Sequence, residues 1–206
     1  MAEEKICLDY HIFKFVYIEA MGDAVNQRAY EGKKKWLEGE DVMKSLKEGI
    51  EHLINKVING EYSSQEEYDK DFLALTIDVC SCINNKAKNN KFTFGNAQKL
   101  INIMLKYFYI TSYKNDSEKE KFRFCHCPMD QQLLKKVWDI WVEFDKVTTR
   151  GQKGYFLKSW GNEDFEEDES GNKTFPKRYD LFQKKVRYFS KLKNMNPLEY
   201  DYYEYQ

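Results

Sequence analysis

The sequence contains few of the residues that interrupt regular secondary structure. Three prolines and ten glycines in 206 residues leave long segments without a strong breaker. Lys, Glu and Leu are frequent in those segments, which favours helices over strands. A chain of this length suits a single domain and is long enough to bury a sizeable core. We therefore expect an all-α protein, a compact bundle of roughly seven helices.

Long apolar runs are also missing. No segment approaches the roughly 18 consecutive apolar residues that a membrane-spanning helix requires. The start of the chain, Met-Ala-Glu-Glu-Lys, is acidic and lacks the basic start and apolar stretch of a signal peptide. The expected location is therefore cytoplasmic, or nucleoid-associated if the chain binds DNA, with no membrane partner. We also expect a monomer.

Cysteine is scarce as well, and its number is odd. Five cysteines in a cytoplasmic chain predict reduced thiols and no disulfide framework. Cys80-x-Cys82 and Cys125-His126-Cys127 contain four soft ligands of the kind that bind zinc. Cys80 and Cys82 would project about 200° apart on a helix, however, and C-x-x-C spacing is absent. The sequence therefore favours buried free thiols, and we expect no metal and no other cofactor.

The chain lacks a large net charge. A net charge of −1 excludes a global field that attracts nucleic acid, so any basic surface must be local. No acidic residue occurs between Asp78 and Asp116, a window that contains six lysines. This window is either a solvated helical face or an anion-binding surface. A dense acidic run, which we expect to be exposed, follows later: Glu163, Asp164, Glu166, Glu167, Asp168 and Glu169.

Aromatic residues, by contrast, are abundant. With 15 Tyr, 14 Phe and 4 Trp, the core should be built largely from rings. Gly60 is expected to end one helix and Ser63 to lie at the start of the next. We predict one helical domain over 1–193 and an aromatic, acidic tail over 194–206. Apolar residues at helical spacing predict helices over 10–36, with Gly22 as a possible break, and over 41–58, 63–83, 96–113, 128–144 and 176–193.

A short polar connection that ends in glycine joins two of these helices. The helical hairpin spans residues 84–113, and its connection should expose backbone N–H groups where the second helix begins. Such groups and the helix dipole together form an anion site, for which DNA phosphate is the natural ligand beside a lysine-rich hairpin. The candidate DNA-binding residues are Lys86, Lys88, Lys91, Gly95, Asn96 and Ala97.

Two further residues have the chemistry of a catalytic pair. Lys99 lies one turn inside the second helix of the hairpin, in a segment apolar enough to be buried. An amine held against apolar walls loses hydration, which favours its neutral, nucleophilic form. Asp130 follows Pro128, and a carboxylate in the first turn of a helix is stabilised by the dipole. The structural alternatives are a lysine that reaches solvent from a helix edge and an ordinary first-turn acid.

These residues together resemble a known pattern. Gly-x-(Gly/Ala)-x-Lys at a helix start, followed by a loop and Pro-apolar-Asp, resembles the helix-hairpin-helix DNA glycosylase superfamily. The closest resemblance, over residues 92–134, is to compact archaeal-type 8-oxoguanine DNA glycosylases. In that family a lysine attacks C1′ of the damaged nucleotide to form a Schiff base, and an aspartate assists departure of the base. The resemblance implies a helix-hairpin-helix element, with Lys99 as nucleophile and Asp130 as assisting carboxylate.

The chain departs from the family pattern in the hairpin itself. Ala97 stands where a second glycine is usual, and Phe92-Thr93-Phe94 replaces the common Leu-Pro start. Trp138 and Trp141, at i and i+3, either line a base-stacking pocket or belong to the core.

Three functions are compatible with these features. The first is a glycosylase and AP lyase that acts on double-stranded DNA and excises an oxidised purine flipped out of the duplex. The second is a non-catalytic helical module of the same fold that binds DNA or a protein. The third is an interaction protein that uses the acidic run and the tyrosine-rich tail.

Overall fold

The structure, a computed structural model, describes residues 9–25, 37–86, 91–112, 115–145 and 150–204. These residues form nine α-helices and one small β-hairpin, so the all-α prediction is confirmed. The helix-hairpin-helix identity of the connection between the third and fourth helices stays a prediction. The helices are α1 Tyr10–Ala24, α2 Glu40–Ile58, α3 Gln65–Lys86, α4 Phe94–Ser112, α5 Asp116–Glu120, α6 Gln131–Asp145, α7 Arg150–Phe156, α8 Lys177–Leu192 and α9 Pro197–Glu204.

Between α7 and α8 the chain forms a turn and a hairpin. A 3-10 turn over Trp160–Asn162 leads into strands β1, Glu166–Glu167, and β2, Lys173–Thr174. The strands are antiparallel, with Glu166 opposite Thr174. None of the helices in the described ranges combines the length and the apolar character needed to cross a membrane.

Local hydrogen bonds explain where α2 ends. Gly60 has φ +69°, the left-handed conformation that glycine adopts without strain. Its N–H donates to the carbonyl of Val57, and the N–H of Glu61 donates to the carbonyl of Lys56, both at 2.9 Å. This pair of bonds is the Schellman motif, which satisfies carbonyls left open at a helix end. The predicted stop at Gly60 is confirmed.

Helix α4 lies at the centre of the fold. It packs against α1, α3, α2 and the 3-10 turn, and most of its apolar side chains are buried, with Ile110 near its end exposed. The surrounding core is rich in aromatic rings, as predicted. Phe94 of α4 contacts Tyr179 of α8 at a centroid distance of 4.8 Å, and Phe72 of α3 contacts the His126 ring at 4.7 Å.

The C-terminal segment differs from the predicted tail. Residues 197–204 form α9, which packs on α8 and α6 and buries Leu198 and Tyr200. Asn196 caps this helix by accepting the N–H of Glu199 at 2.9 Å, and Pro197 occupies the first helical position, where its missing N–H costs nothing. The helical domain therefore continues to residue 204.

The acidic run is only partly exposed. Glu163 pairs with Arg178, Asp164 with Lys91, and Glu166 with Lys177. The prediction of an exposed run holds for residues 167–169 alone, at the tip of the β-hairpin. The other three carboxylates join this segment to α8 and to Lys91, three residues before the start of α4.

Gly60→Ala should lower the free energy of unfolding by about 1 kcal/mol, because alanine is strained in the left-handed region. Steric conflict is not the cause, since a Cβ there would lie 3.5 Å from Cγ of Lys121. Gly154→Ala in α7 is the control: nothing lies within 4 Å of its Cβ, and alanine favours helix by about 0.5 kcal/mol. Urea unfolding measures both, and an equal effect of the two substitutions would contradict the assignment.

Candidate functional site

The start of α4 is closed by its own residues. The Thr93 N–H donates to Oδ1 of Asn96 at 3.1 Å, and the Asn96 N–H donates to Oγ1 of Thr93 at 3.3 Å. This reciprocal pair is a capping box. The Ala97 N–H donates to the carbonyl of Thr93 at 3.1 Å. Helix α4 therefore begins at Phe94, two residues before the predicted start.

A second segment covers this helix end from outside. We call residues 159–164 the strap. The Gly95 N–H donates to the carbonyl of Glu163 at 3.0 Å, and Oγ1 of Thr93 donates to the carbonyl of Gly161 at 2.8 Å. The approach is so close that a Cβ on residue 95 would lie 1.9 Å from the carbonyl oxygen of Trp160. Glycine is therefore required at position 95 by the strap and not by a phosphate.

The predicted phosphate site is consequently occupied. Gly95, Asn96 and Ala97 were expected to present backbone N–H groups, but all three are buried and all three N–H groups are bonded within the chain. The Asn96 side chain also donates to the carbonyl of Ala24 at 2.7 Å, which ties α1 to the start of α4. In this conformation these three residues cannot grip a DNA backbone.

The predicted basic residues of the hairpin have partners on other elements. Lys86 is exposed and donates to Oγ of Ser45 at 2.6 Å and to the carbonyl of Asp41 at 3.2 Å. Lys91 forms its ion pair with Asp164 of the strap while keeping a side chain that is 66% exposed. Lys88 lies outside the described residues.

Gln98 joins the two segments that carry the predicted catalytic pair. Its side-chain amide donates to the carbonyl of Met129 at 3.1 Å and accepts the N–H of Met129 at 3.1 Å. Lys99 is the residue after Gln98, and Asp130 is the residue after Met129. We call this pair of hydrogen bonds the Gln98–Met129 clamp. It joins the residue before Lys99 to the residue before Asp130, although 31 positions separate the two in the sequence.

The Lys99 side chain extends along a tryptophan of the strap. Its Nζ lies 4.6 Å from the centroid of the Trp160 ring, in a cation–π contact, and the side chain is partly exposed. The sequence suggested that Asp130 lies in the first turn of α6. In the structure it is instead the N-cap residue, directly before the helix. Its Oδ1 accepts the N–H groups of Gln132 and Leu133 at 3.0 and 2.9 Å.

A buried ion pair lies next to these two residues. Lys106, two turns after Lys99 on α4, contacts the carboxylate of Asp201 on α9, whose side chain is 2% exposed. Burial raises the pKa of Asp201, and the negative charge of Asp130 raises it further, against the charges of Lys106 and Lys99. Burial lowers the pKa of Lys106, but Asp201 outweighs that effect, and the pKa lies above its usual range.

We call Lys99, Lys106, Asp130 and Asp201 the lysine–carboxylate cluster. Cys127 lies beside it, with a fully buried thiol whose pKa is raised by burial and then by the charge of Asp201. A thiol in that state is protonated and inert. The cluster thus offers two amines and two carboxylates. Lys106 and Asp201 form an ion pair, whereas the contact found for the Lys99 amine among the described residues is the Trp160 ring.

The tryptophans predicted to line a base pocket serve the core. Trp138 is buried, and its ring contacts those of Trp141 and Phe156 at 5.4 and 5.7 Å. The outer face of Trp141 is covered by the ammonium of Lys185 at 4.5 Å. The aromatic residue that contacts Lys99 is Trp160 instead.

The cysteines of the described ranges are free thiols, in line with the favoured interpretation. Cys80, Cys125 and Cys127 are buried, and Cys82 is half-buried. Burial raises the pKa of Cys80 to about 12. Within the same ranges no group of three or more Cys, His, Asp or Glu residues has metal-binding geometry.

His126 is the centre of a buried polar network that extends through Tyr179 and Asn102 to Gln98. Its Nε2 lies 2.7 Å from Oδ1 of Asp69, and its Nδ1 lies 3.0 Å from the hydroxyl of Tyr179. That hydroxyl accepts a hydrogen bond from Nδ2 of Asn102 at 3.1 Å, and Asn102 also donates to Gln98 at 3.2 Å. A neutral imidazole with its proton on Nε2 satisfies every partner. The network fixes α4 against α3 and α8.

Four residues of this region escaped sequence reasoning, namely Gln98, Trp160, Arg178 and Asp201. The only usable signal preceded Asp201, where Asn196-Pro197 followed by Glu199 has the form of a helix start. Arg178 lies in the helix predicted over 176–193, where several other basic residues surround it and nothing local distinguishes it from them. Gln98 and Trp160 carry no local signal, because their partners lie 31 and 61 positions away.

Comparisons with protein-family models, with curated protein sequences and with solved structures found no match to this chain. The resemblance to helix-hairpin-helix glycosylases thus depends on the residues quoted above, and membership of that superfamily stays a prediction.

The pH dependence of stability should reveal His126. Burial lowers its pKa, with Asp69 acting in the opposite direction. Below about pH 6.5 His126 therefore binds a proton in the unfolded chain but not in the folded protein. The free energy of unfolding consequently decreases as the pH falls through that value. Chemical unfolding at pH 7.5 and 5.5 should show this loss.

Two histidine variants identify the source of the effect. In His126→Gln the loss of stability between pH 7.5 and 5.5 should shrink, although the variant is less stable at both values. His52→Gln removes an exposed histidine and should leave the loss unchanged. An unaltered pH dependence in His126→Gln would refute the assignment.

Proposed function

We propose that this chain is a DNA glycosylase with β-lyase activity that removes an oxidised purine. Lys99 is the Schiff-base nucleophile and Asp130 the assisting carboxylate. The observation that supports this proposal best is the Gln98–Met129 clamp, because it joins the residues that directly precede Lys99 and Asp130. The charges of both Lys99 and Asp130 also act on the same carboxylate, that of Asp201. A nucleophile and its assisting carboxylate must flank the same sugar.

The chemistry assigns a distinct task to each member of the cluster. The neutral amine of Lys99 attacks C1′, the glycosidic bond breaks, and the base leaves with the bonding electron pair. The carboxylate of Asp130 stabilises the positive charge that develops on the sugar. The nitrogen of the new C1′–N bond gives a proton to the departing base. The C1′–O4′ bond then breaks as the C1′=N double bond of the imine forms, and O4′ takes up a proton from solvent. Loss of a C2′ proton from this imine breaks the C3′–O bond, and the 3′ phosphate leaves with the bonding electron pair. Lys106 and Asp201 neutralise each other, so they add no net charge beside the reacting sugar.

DNA contact in this proposal comes from lysine side chains and not from the amides of α4. Lys86 and Lys91 are exposed. The Lys91–Asp164 pair lies at the surface, and such pairs contribute at most about 1 kcal/mol. A DNA phosphate can therefore replace Asp164 at small cost, with release of counterions as a further driving force.

One observation favours the second candidate, a non-catalytic helical module that binds DNA or a protein. The strap occupies the Gly95 N–H, and burial of Asn96 and Ala97 removes the anion site expected of a helix-hairpin-helix glycosylase. The third candidate, an interaction protein, gains less support. Tyr200 of the expected tail is buried, and three carboxylates of the acidic run have partners within the chain.

Lys99→Gln should abolish borohydride trapping on duplex DNA with an oxidised purine while leaving DNA affinity intact. Glutamine keeps much of the length and polarity of lysine but cannot form an imine. Lys136→Gln changes an exposed lysine of α6 and is the matched control. Gel shift of the trapped species measures the outcome. A wild-type protein inactive on oxidised, alkylated and deaminated duplexes would leave the binding module as the better proposal.

Asp130→Asn should slow base release by about 100-fold or more, since the amide cannot stabilise positive charge on the sugar. The fold should persist because asparagine is as good an N-cap as aspartate. Single-turnover base release and thermal unfolding together test this expectation. A stable Asp130→Asn protein with wild-type rate would exclude Asp130 from the reaction.

Lys86→Ala combined with Lys91→Ala should lower the slope of log affinity against log salt by about two for duplex DNA. Asp164→Asn should raise affinity, because it removes the carboxylate that competes with phosphate for Lys91. Lys136→Ala combined with Lys153→Ala, two exposed lysines elsewhere, is the control. Unchanged affinity in the first double variant would mean that the acid-free window is only a solvated face.

A further inference from the structure

We propose that Trp160 is a positioning residue for the Lys99 amine, held in place by the strap. The inference rests on the proposed function of Lys99 and goes beyond it, since it names the group that orients the nucleophile. The direct observation is the 4.6 Å distance between Nζ of Lys99 and the centroid of the Trp160 ring.

The backbone of Trp160 is fixed from the side of α4. The strap is bonded to Gly95 and to Thr93 through the carbonyls of Glu163 and Gly161. The carbonyl oxygen of Trp160 itself lies against the bare Cα of Gly95, where no Cβ would fit. Lys99 lies one helical turn after Gly95, so the indole and the amine are carried by segments that contact each other directly.

A buried arginine fixes the strap from the side of α8. Arg178 is 1% exposed. Its guanidinium donates to the carbonyls of Phe156 at 3.2 Å and of Ser159 at 3.1 Å, and also to the carbonyl of Lys158 and the carboxylate of Glu163. Four acceptors on residues 156–163 thus surround one planar cation, and they hold both ends of the Trp160 turn.

The two lysines of the cluster are held in different ways. Lys106 contacts a buried carboxylate, and its ammonium also lies 4.4 Å from the ring centroid of Tyr202. If Lys106 moved away, the buried charge of Asp201 would lose its partner, which costs several kcal/mol. The contact that holds the Lys99 amine among the described residues is a ring face, an interaction of about 0.5–1 kcal/mol at a partly exposed site. Trp160 therefore orients the Lys99 amine but releases it readily, as a nucleophile requires.

Orientation matters because a lysine has a long, flexible side chain. Without a partner its amine would sample many positions in solvent. The indole restricts those positions before a substrate arrives, which reduces the entropy lost when the reacting atoms align. The same contact covers one side of the amine and should slow its reaction with small reagents in solution.

Trp160→Ala should therefore change two rates in opposite directions. Reductive methylation of Lys99 by formaldehyde and cyanoborohydride, followed by peptide mass spectrometry, should become about two- to fivefold faster as the cover is lost. Borohydride trapping on a duplex with an abasic site should become about tenfold slower as the orientation is lost. Methylation of Lys106, held by Asp201, should not change and is the internal control.

Trp160→Phe keeps a ring face and should restore both rates to near the wild-type values. A purely structural role for Trp160 would instead change methylation of Lys99 and Lys106 together and would not separate the two rates. Thermal unfolding of both variants shows whether either has lost its fold. If Trp160→Ala does not fold, the two rates of Trp160→Phe test the positioning role. An unchanged Lys99 methylation rate in a folded Trp160→Ala protein overturns the proposal, as does failure of folded Trp160→Phe to restore trapping.

Failure of the proposed function gives a different result. A wild-type protein that cannot be trapped on any duplex ends the glycosylase proposal, and with it the catalytic role of Trp160. The methylation rates are measured without DNA, so they still establish whether Trp160 controls access to the Lys99 amine.

Discussion

The buried guanidinium of Arg178 is the constraint on which the rest of this region depends. A charge with 1% exposure is tolerated when it is paired with an opposite charge and hydrogen-bonded. Both Nη atoms of Arg178 are bonded, while Nε has no partner among the described residues. Here the acceptors are three carbonyls and one carboxylate between residues 156 and 163. Those residues must therefore fold back onto α8, and the strap reaches the start of α4 as a result. As a consequence of this position of the strap, the Gly95 N–H donates to the carbonyl of Glu163, and the Trp160 ring lies against the Lys99 amine.

Charge is balanced locally in this protein and not only in total. The acid-free window between Asp78 and Asp116 meets carboxylates from distant parts of the chain. Lys91 pairs with Asp164 of the acidic run, and Lys106 pairs with Asp201 of α9. The first pair is exposed and exchangeable, whereas the second is buried and permanent. The window thus contains both an exposed ion pair and a buried structural contact, two environments that the lysine pattern cannot distinguish.

The enzyme and binding-module proposals differ in what the strap does. For a glycosylase the strap orients the nucleophile, while DNA is contacted by lysine side chains on the surface. For a binding module the strap simply completes the core over a helix end that has lost its anion site. Both assign the Gln98–Met129 clamp and the His126 network to the same task, since these contacts fix α4 against α3, α6 and α8.

The sequence alone determined the features that depend on short-range order. The spacing of apolar residues and the cap residues predicted the ends of α2, α3, α4, α6 and α8 to within three residues. Gly60 correctly marked the end of α2. These signals are local because helical hydrogen bonds join residues four apart. Only the tertiary structure decided that Gly95 contacts the strap, that Trp160 meets Lys99, and that Asp201 lies beside Lys106. Each of these contacts joins residues more than 60 positions apart, and they form only when whole helices pack in one arrangement.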